Sequence, residues 1–177
     1  EQLLAPSFIG VSTYKKDWQQ LNKKTALALD QYLEEQEFTD FKIFDFLMKS
    51  IPQKSLIQLG NSTPIRYANL LHFEEKQDLQ INSNRGVSGI DGVLSTAAGA
   101  AIAKPKQACY CITGDVAALY DSNALMNQKL KANYKLIIIN NGGGNIFKII
   151  PGPNKLDELE EFFETKHQVE FEHLAAM

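Results

Sequence analysis

The chain has 177 residues, of which 44% are hydrophobic and 22% charged, and its formal net charge is −3 at pH 7. This length and apolar content suit one domain of ordinary size with its own core, and the slight acidic excess gives no electrostatic case for nucleic-acid binding. No uncharged run reaches the ~20 residues that span a bilayer, so we expect no membrane insertion. The acidic composition leads us to expect a cytoplasmic location.

Residues 1–37 precede the part of the chain that carries recognisable chemistry. They begin as an irregular polar segment and continue into a helix-like polar segment over residues 24–37. We expect this region to be a linker and the end of a preceding middle domain. The next domain is expected to cover residues 38–177.

The segment from Phe38 to Ser50 has apolar residues at steps of three and four, which predicts an amphipathic helix. Thr39 or Asp40 is a candidate N-cap for it. We expect the aromatic stripe of this helix to pack in the core. The members of the stripe are Phe38, Phe41, Phe44 and Met48.

Short apolar runs that end in Gly, Asn or Asp alternate with helical patterns along the rest of the chain. The predicted strands are residues 55–59, 79–84, 106–113 and 136–139. This alternation predicts an α/β fold with a doubly wound, mainly parallel sheet and helices on both faces. Cys109 and Cys111 would point to the same face of the third strand, as reduced core residues.

Oxygen-bearing side chains follow the third and fourth predicted strands. Asp115 and Asn141 stand there, and the crossover over residues 116–135 is long enough to make these strands parallel neighbours. The two side chains can then face one another across a crevice. With a backbone carbonyl from the loop 142–144, they form a ligand set that Mg²⁺ accepts when a phosphate completes it. Taken singly, a helix N-cap and an Asn-Gly turn would also explain these residues.

The crossover itself shows a second pattern with helical spacing. Its apolar positions recur at steps of three and four, which predicts one helix with a buried stripe. The members of the stripe are Val116, Leu119, Asn123, Met126 and Leu130.

Two arginines stand close to predicted strand ends. Arg66 lies one turn into a helix opened by residues 60–64, where free backbone amides could meet an anion. Arg85 follows the strand 79–84 and is succeeded by glycines, which leave the loop backbone bare for close approach of a ligand. A turn and a tight helix contact would explain those glycines, but not the arginine among them.

The spacing of Gly114-Asp115 and Asn140-Asn141, with 24 residues between, resembles the signature of thiamine diphosphate-dependent enzymes. Three blocks sharpen the resemblance to one family of the menaquinone pathway, the 2-succinyl-5-enolpyruvyl-6-hydroxy-3-cyclohexene-1-carboxylate synthases (MenD). These blocks are GNSTPIR from Gly60, SNRGVSGIDGVLSTAAG from Ser83 and NNGGGNIFKIIP from Asn140.

The resemblance implies roles for individual residues. Mg²⁺ or Mn²⁺ on Asp115, Asn141 and the carbonyl of Gly143 would hold the diphosphate of thiamine diphosphate, and Ile90 would wedge under the cofactor. The implied cofactor-binding residues are Gly114, Asp115, Val116, Ser88, Gly89, Ile90, Asn141 and Ile146. The implied substrate-binding residues are Arg66, Arg85, Ser62, Ile146 and Phe147.

The resemblance also implies a reaction and an assembly. The enzyme would be a transferase that decarboxylates 2-oxoglutarate and adds the succinyl-semialdehyde carbanion to isochorismate. Its catalytic glutamate would lie in a separate N-terminal domain of a partner subunit, in a homodimer or tetramer, so no catalytic residue is expected here. We expect the chain to be a piece of a longer enzyme that stops before the closing strand and helix, and to be inactive by itself.

Other functions remain open from the residues alone. An acetolactate synthase or another thiamine diphosphate-dependent 2-oxoacid decarboxylase would share Asp115 and Asn141 but would have no need of the block that starts at Ser83. A non-catalytic α/β domain would need neither the metal ligands nor the two arginines.

Overall fold

The computed structural model describes residues 12–71 and 78–176. It divides into two compact units, Glu1–Glu37 and Phe38–Met177. The predicted irregular start of the chain, residues 1–11, lies outside the described residues, as do residues 72–77 and 177 of the predicted second domain.

The first unit contains one helix, α1 (Tyr14–Glu35), within its described residues. It begins ten residues before the predicted helix-like segment. Between Ser12 and Gln36 the sequence has neither glycine nor proline and is rich in Lys, Leu, Gln and Glu. Because these residues have high helix propensity, the helix extends further toward the N-terminus than its polar pattern suggested.

The second unit opens with α2 (Asp40–Ser50), and the side chain of Thr39 accepts a hydrogen bond from the Lys42 amide at 3.3 Å. The predicted helix and its cap are therefore confirmed. Phe44 and Met48 are fully buried, whereas Phe38 is 88% exposed. The prediction that Phe38 belongs to the buried stripe is wrong because this residue precedes the helix and does not share its apolar face.

A four-stranded, wholly parallel sheet follows in the order β2-β1-β3-β4. Its strands are β1 (Leu56–Leu59), β2 (Gln80–Ser83), β3 (Cys109–Gly114) and β4 (Tyr134–Ile139). The helices that accompany it are α3 (Thr63–Leu70), α4 (Val93–Ala103), α5 (Asp115–Tyr120) and α6 (Phe171–Ala175). The parallel sheet surrounded by helices confirms the predicted α/β fold class.

Both faces of β1 are covered, since all four of its residues are buried. Leu56 packs in one cluster with Cys109, Cys111 and residues of α4. Alternation along the strand turns Ile57 and Leu59 to the other face, where they are also fully buried. The two cysteines are unpaired and buried as predicted, and burial raises the pKa of the Cys111 thiol to about 12.

The crossover between β3 and β4 differs from its prediction. Helix α5 ends at Tyr120, a 3₁₀ turn (Ser122–Met126) follows, and Met126 is 72% exposed. The predicted buried stripe is wrong because the crossover turns at Asp121. The carboxylate of Asp121 accepts hydrogen bonds from the Ser95 amide at 2.8 Å and the Ser95 hydroxyl at 2.6 Å.

Short turns lie between β4 and α6. They are two 3₁₀ turns (Asn145–Lys148 and Pro153–Lys155) and a π-helical turn (Leu159–Phe163). Across the described ranges, no helix combines the length and apolar character needed to cross a membrane.

Close backbone packing joins the ends of β1 and β3. The amide of Gly60 donates to the carbonyl of Ile112 at 2.8 Å. A Cβ atom at position 60 would lie 2.5 Å from Oγ1 of Thr113, a fully buried side chain. Since Thr113 is β-branched and stiff, only glycine fits this position without displacing the strand end.

We expect Gly60→Ala to lower the free energy of unfolding by about 1–3 kcal/mol, because the added methyl group overpacks the contact with Thr113. Gly99→Ala is the matched control, since Gly99 lies within α4 and an added Cβ atom there would meet no heavy atom within 4 Å. That control should be neutral or stabilising by up to about 1 kcal/mol. Denaturant unfolding measures both, and equal effects would contradict the packing argument.

Candidate active site

A cavity of about 580 Å³ opens at the edge of the sheet where the strands end. All but one of the predicted site residues line it. The lining set is Ser62, Arg66, Arg85, Ser88, Ile90, Gly114, Asp115, Val116, Asn141, Gly143, Ile146 and Phe147. The exception is Gly89, whose carbonyl oxygen accepts a hydrogen bond from Nδ2 of the lining residue Asn61 at 2.6 Å.

Asp115 is the buried acid of this cavity, with 2% of its surface exposed. Its Oδ1 accepts a hydrogen bond from the Val116 amide at 2.7 Å. Its Oδ2 accepts from the amides of Gly142 at 2.7 Å and Gly143 at 3.0 Å. Asp115 is the first residue of α5 and not its N-cap, so the carboxylate mainly ties the end of β3 to the loop after β4.

Two positions of the glycine loop (residues 142–144) require glycine. Gly142 and Gly143 have φ values of 81° and 152°, in the region that favours glycine. A Cβ atom on Gly143 would lie 2.6 Å from the carbonyl oxygen of Glu164, which also accepts a hydrogen bond from the Gly144 amide at 2.6 Å. The segment at Glu164 therefore supports the loop from behind, a contact that no sequence motif indicated.

Asn141 lines the same cavity, and its amide nitrogen hydrogen-bonds to Asp40. Its Nδ2 donates to Oδ2 of Asp40 at 2.7 Å, and its backbone carbonyl accepts from Asn145 Nδ2 at 3.0 Å. The carbonyl of Gly143 accepts from the Asn145 amide at 2.9 Å and, like any carbonyl, retains a second lone pair.

The three predicted metal ligands fit a hard divalent cation in their chemistry. A carboxylate, a side-chain amide and a backbone carbonyl line one cavity, and such oxygen donors suit Mg²⁺ or Mn²⁺. Within residues 12–71 and 78–176, no three His, Cys, Asp or Glu side chains converge on a metal site. A cation here would therefore depend on Asp115 with neutral oxygen ligands and with a ligand's own anionic groups.

His167 approaches the same carboxylate, and sequence reasoning missed it. Its Nε2 lies 3.2 Å from Oδ2 of Asp115 without reaching hydrogen-bond geometry, and its Nδ1 accepts from the Val169 amide at 3.3 Å. The ring of His167 also meets Phe171 edge-on, with centroids 6.0 Å apart. The sequence offered no signal because the contact joins parts of the chain that are distant in sequence.

Asn61 joins the ends of β1 and β2 and orients one of the predicted arginines. It is 4% exposed, and its Nδ2 donates to the carbonyl oxygens of Asn84 at 2.9 Å and Gly89 at 2.6 Å. Its Oδ1 accepts from Nη1 of Arg85 at 2.7 Å. The sequence suggested Asn61 only as a residue near a helix start, and this anchoring role becomes visible only in the fold.

The second arginine is also held by a local contact. Nη1 of Arg66 donates to the carbonyl oxygen of Ser62 at 2.7 Å. Ser62, Ser88 and Thr165 adopt positive φ values of 73°, 60° and 47°, and all three line the cavity. Strained backbone of this kind clusters at ligand sites, where the surrounding fold enforces it.

Apolar side chains form part of the cavity wall, next to the glycine loop. Phe147 and Phe163 meet edge-on with their centroids 5.5 Å apart. Tyr120, Phe162, Phe163 and Thr165 line the cavity but were not among the predicted residues. The cavity therefore combines charged and polar groups with aromatic surface, which suits a ligand with an anionic group and a ring.

The comparisons with known proteins agree with this geometry. Residues 60–177 match the family model described as thiamine pyrophosphate enzyme, C-terminal TPP binding domain. The chain is similar to proteins named 2-succinyl-5-enolpyruvyl-6-hydroxy-3-cyclohexene-1-carboxylate synthase. That of Flavobacterium johnsoniae is 47% identical over 147 residues, which are 83% of this chain and 26% of that protein.

Two further relatives carry the same name. The protein of Flavobacterium psychrophilum is 43% identical over 158 residues, or 89% of this chain and 28% of that protein. The protein of Porphyromonas gingivalis is 36% identical over 166 residues, or 94% of this chain and 28% of that protein. The chain thus spans about a quarter of the length of the curated relatives it matches.

We expect Asp115→Ala to destabilise the glycine loop (residues 142–144) in the ligand-free protein. The change removes the acceptor of the Gly143 amide and the shorter of the two hydrogen bonds of the Gly142 amide, which also reaches Oδ1 of Asn140 at 3.4 Å. An unsatisfied buried donor costs about 1–3 kcal/mol. Hydrogen exchange at these two amides should accelerate and the free energy of unfolding should fall. Asp45→Ala is the control, since it removes a carboxylate that pairs with Lys49 within α2 and, among the described residues, makes no hydrogen bond with the glycine loop. Unchanged protection of both amides in Asp115→Ala would contradict the assigned role.

Proposed function

We infer the function from the family: the chain belongs to the thiamine pyrophosphate enzymes, through their C-terminal TPP-binding domain. In this proposal, residues 38–177 supply the diphosphate-binding domain of a longer synthase. Residues 1–37 are the linker and the end of a preceding middle domain in this proposal. The observation that carries it is the meeting of Asp115, Asn141 and Gly143 in the wall of one cavity.

The proposed reaction is the decarboxylation of 2-oxoglutarate followed by addition of the remaining four-carbon unit to isochorismate, a transferase step of menaquinone biosynthesis in the cytoplasm. Identities of 36–47% to synthases that carry the corresponding name support this choice among thiamine diphosphate enzymes. The catalytic glutamate belongs to the N-terminal domain of a partner subunit in a homodimer or tetramer.

Thiamine diphosphate supplies the carbanion-stabilising chemistry when it is bound. Asp115, Oδ1 of Asn141 and the carbonyl of Gly143 hold Mg²⁺ or Mn²⁺, whose charge offsets that of the diphosphate. The glycine loop brings backbone close to that group because its residues carry no side chains. Further contacts to the cofactor come from Gly114, Val116, Ser88, Gly89, Ile90 and Ile146.

The substrate side of the proposal rests on two anchored guanidinium groups. Arg66 and Arg85 offer paired donors to carboxylates, and both proposed substrates carry more than one carboxylate. Their hydrogen bonds to Ser62 and Asn61 hold the side chains in place, so less conformational entropy is lost on binding. Ser62 adds a polar contact, and Ile146 and Phe147 shield the reacting groups from water.

The reaction is tested with the full-length protein, thiamine diphosphate and Mg²⁺. We expect consumption of 2-oxoglutarate that depends on isochorismate, with carbon dioxide and the coupled product formed in equal amounts. Pyruvate should be consumed far more slowly under the same conditions. Preferential use of pyruvate would contradict the proposal and favour an acetolactate synthase or simple decarboxylase.

Arg85→Ala in the full-length protein should raise the KM of one carboxylate substrate by about 10- to 100-fold, because a charge-assisted hydrogen bond contributes about 1.5–3 kcal/mol. The Kd of thiamine diphosphate should stay within about twofold, since Arg85 is assigned to substrate. Arg85→Lys is the conservative control and should recover part of the loss. An equal loss of cofactor affinity would refute the assignment.

A further inference from the structure

Asp40 contacts a residue of the cavity lining, and the proposed function leaves this contact unexplained. It is the first residue of α2, yet its carboxylate accepts a hydrogen bond at 2.7 Å from Nδ2 of Asn141, a residue 101 positions later in the chain. Asn141 is one of the three proposed ligands of the cation. The contact therefore links the start of the domain to the proposed metal site.

The position of Asp40 is fixed by the packing of its helix. Phe44 and Met48 anchor α2 in the core. The rings of Phe41 and Phe44 also contact Tyr67 of α3, with centroid distances of 5.0 and 5.8 Å. Burial, and secondarily the negative charge of Asp40, raise the pKa of the Tyr67 hydroxyl. The packing of α2 therefore fixes the position of the Asp40 backbone.

A side-chain amide can present either its oxygen or its nitrogen to a cation, and only the oxygen is a ligand. Because an ionised carboxylate only accepts hydrogen bonds, the branch of Asn141 that meets Asp40 must be the NH₂ group. The other branch, Oδ1, is then the one left for a cation. The contact selects one of two amide orientations.

We propose that Asp40 is a positioning residue of the metal site, which fixes the amide of Asn141 so that Oδ1 is available to a divalent cation. This inference rests on the proposed function and goes beyond it, since Asp40 belongs to none of the ligand or substrate groups assigned above. Partners of this kind orient metal ligands, and their loss typically weakens metal binding by about 10- to 100-fold.

The test measures Mn²⁺ binding to the full-length protein at saturating thiamine diphosphate, from the electron paramagnetic resonance signal of the free ion. Asp40→Ala should raise the Kd of Mn²⁺ by at least about tenfold. Asp40→Asn keeps an acceptor oxygen and should lose much less affinity. Asp45→Ala is the matched control, with the same charge change on the same helix, and should leave the Kd unchanged.

A double-mutant cycle separates orientation from long-range charge. If Asp40 acts through Asn141, Asp40→Ala should add no further loss of Mn²⁺ affinity in an Asn141→Ala background. The inference about Asp40 would be overturned if Asp40→Ala weakened Mn²⁺ binding as much in that background as in the wild type. It would also be overturned if the Asp40→Ala variant bound Mn²⁺ as tightly as the wild type. Neither result would contradict the proposed function. If the wild-type protein binds thiamine diphosphate equally well with and without Mn²⁺ or Mg²⁺, both the proposed function and the inference about Asp40 are overturned.

Discussion

The hydrogen bonds from the amides of Gly142 and Gly143 to the buried carboxylate of Asp115 are the contact on which the site depends. They exist because β3 and β4 are parallel neighbours in a register that pairs Gly114 with Ile139. This register brings the two strand ends to the same height at the edge of the sheet. One buried acid then fixes a loop whose backbone is bare enough to approach a diphosphate.

Asn61 plays a similar role at the ends of β1 and β2. Asn61, at the end of β1, holds two carbonyl oxygens of the loop after β2 and the guanidinium of Arg85. Asp115 and Asn61 are both buried polar side chains that form most of their hydrogen bonds with backbone groups, so the surrounding loops have one well-defined arrangement. The cavity between them is therefore largely preorganised, which lowers the cost of ordering it around a ligand.

The sequence carried enough information for the parts of the site that follow strand ends. Asp115 and Asn141 could be placed because residue type and strand order determine their positions. Several features escaped it, among them the turn at Asp121, the support of the glycine loop by Glu164, and the contact of Asp40 with Asn141. The approach of His167 to Asp115 and the anchoring of Arg85 by Asn61 escaped it as well. Each depends on contacts between parts of the chain that are distant in sequence, which local periodicity does not encode. The exposure of Phe38 was missed because the helix begins two residues later than its aromatic spacing suggested.

The most direct test of the proposed site is a calorimetric titration of thiamine diphosphate into the full-length protein, with and without Mg²⁺, for the wild type and Asp115→Ala. We predict binding that requires both the cation and the Asp115 carboxylate. Thiamine diphosphate that binds equally well without a divalent cation, or equally well to Asp115→Ala, would contradict the proposed diphosphate site.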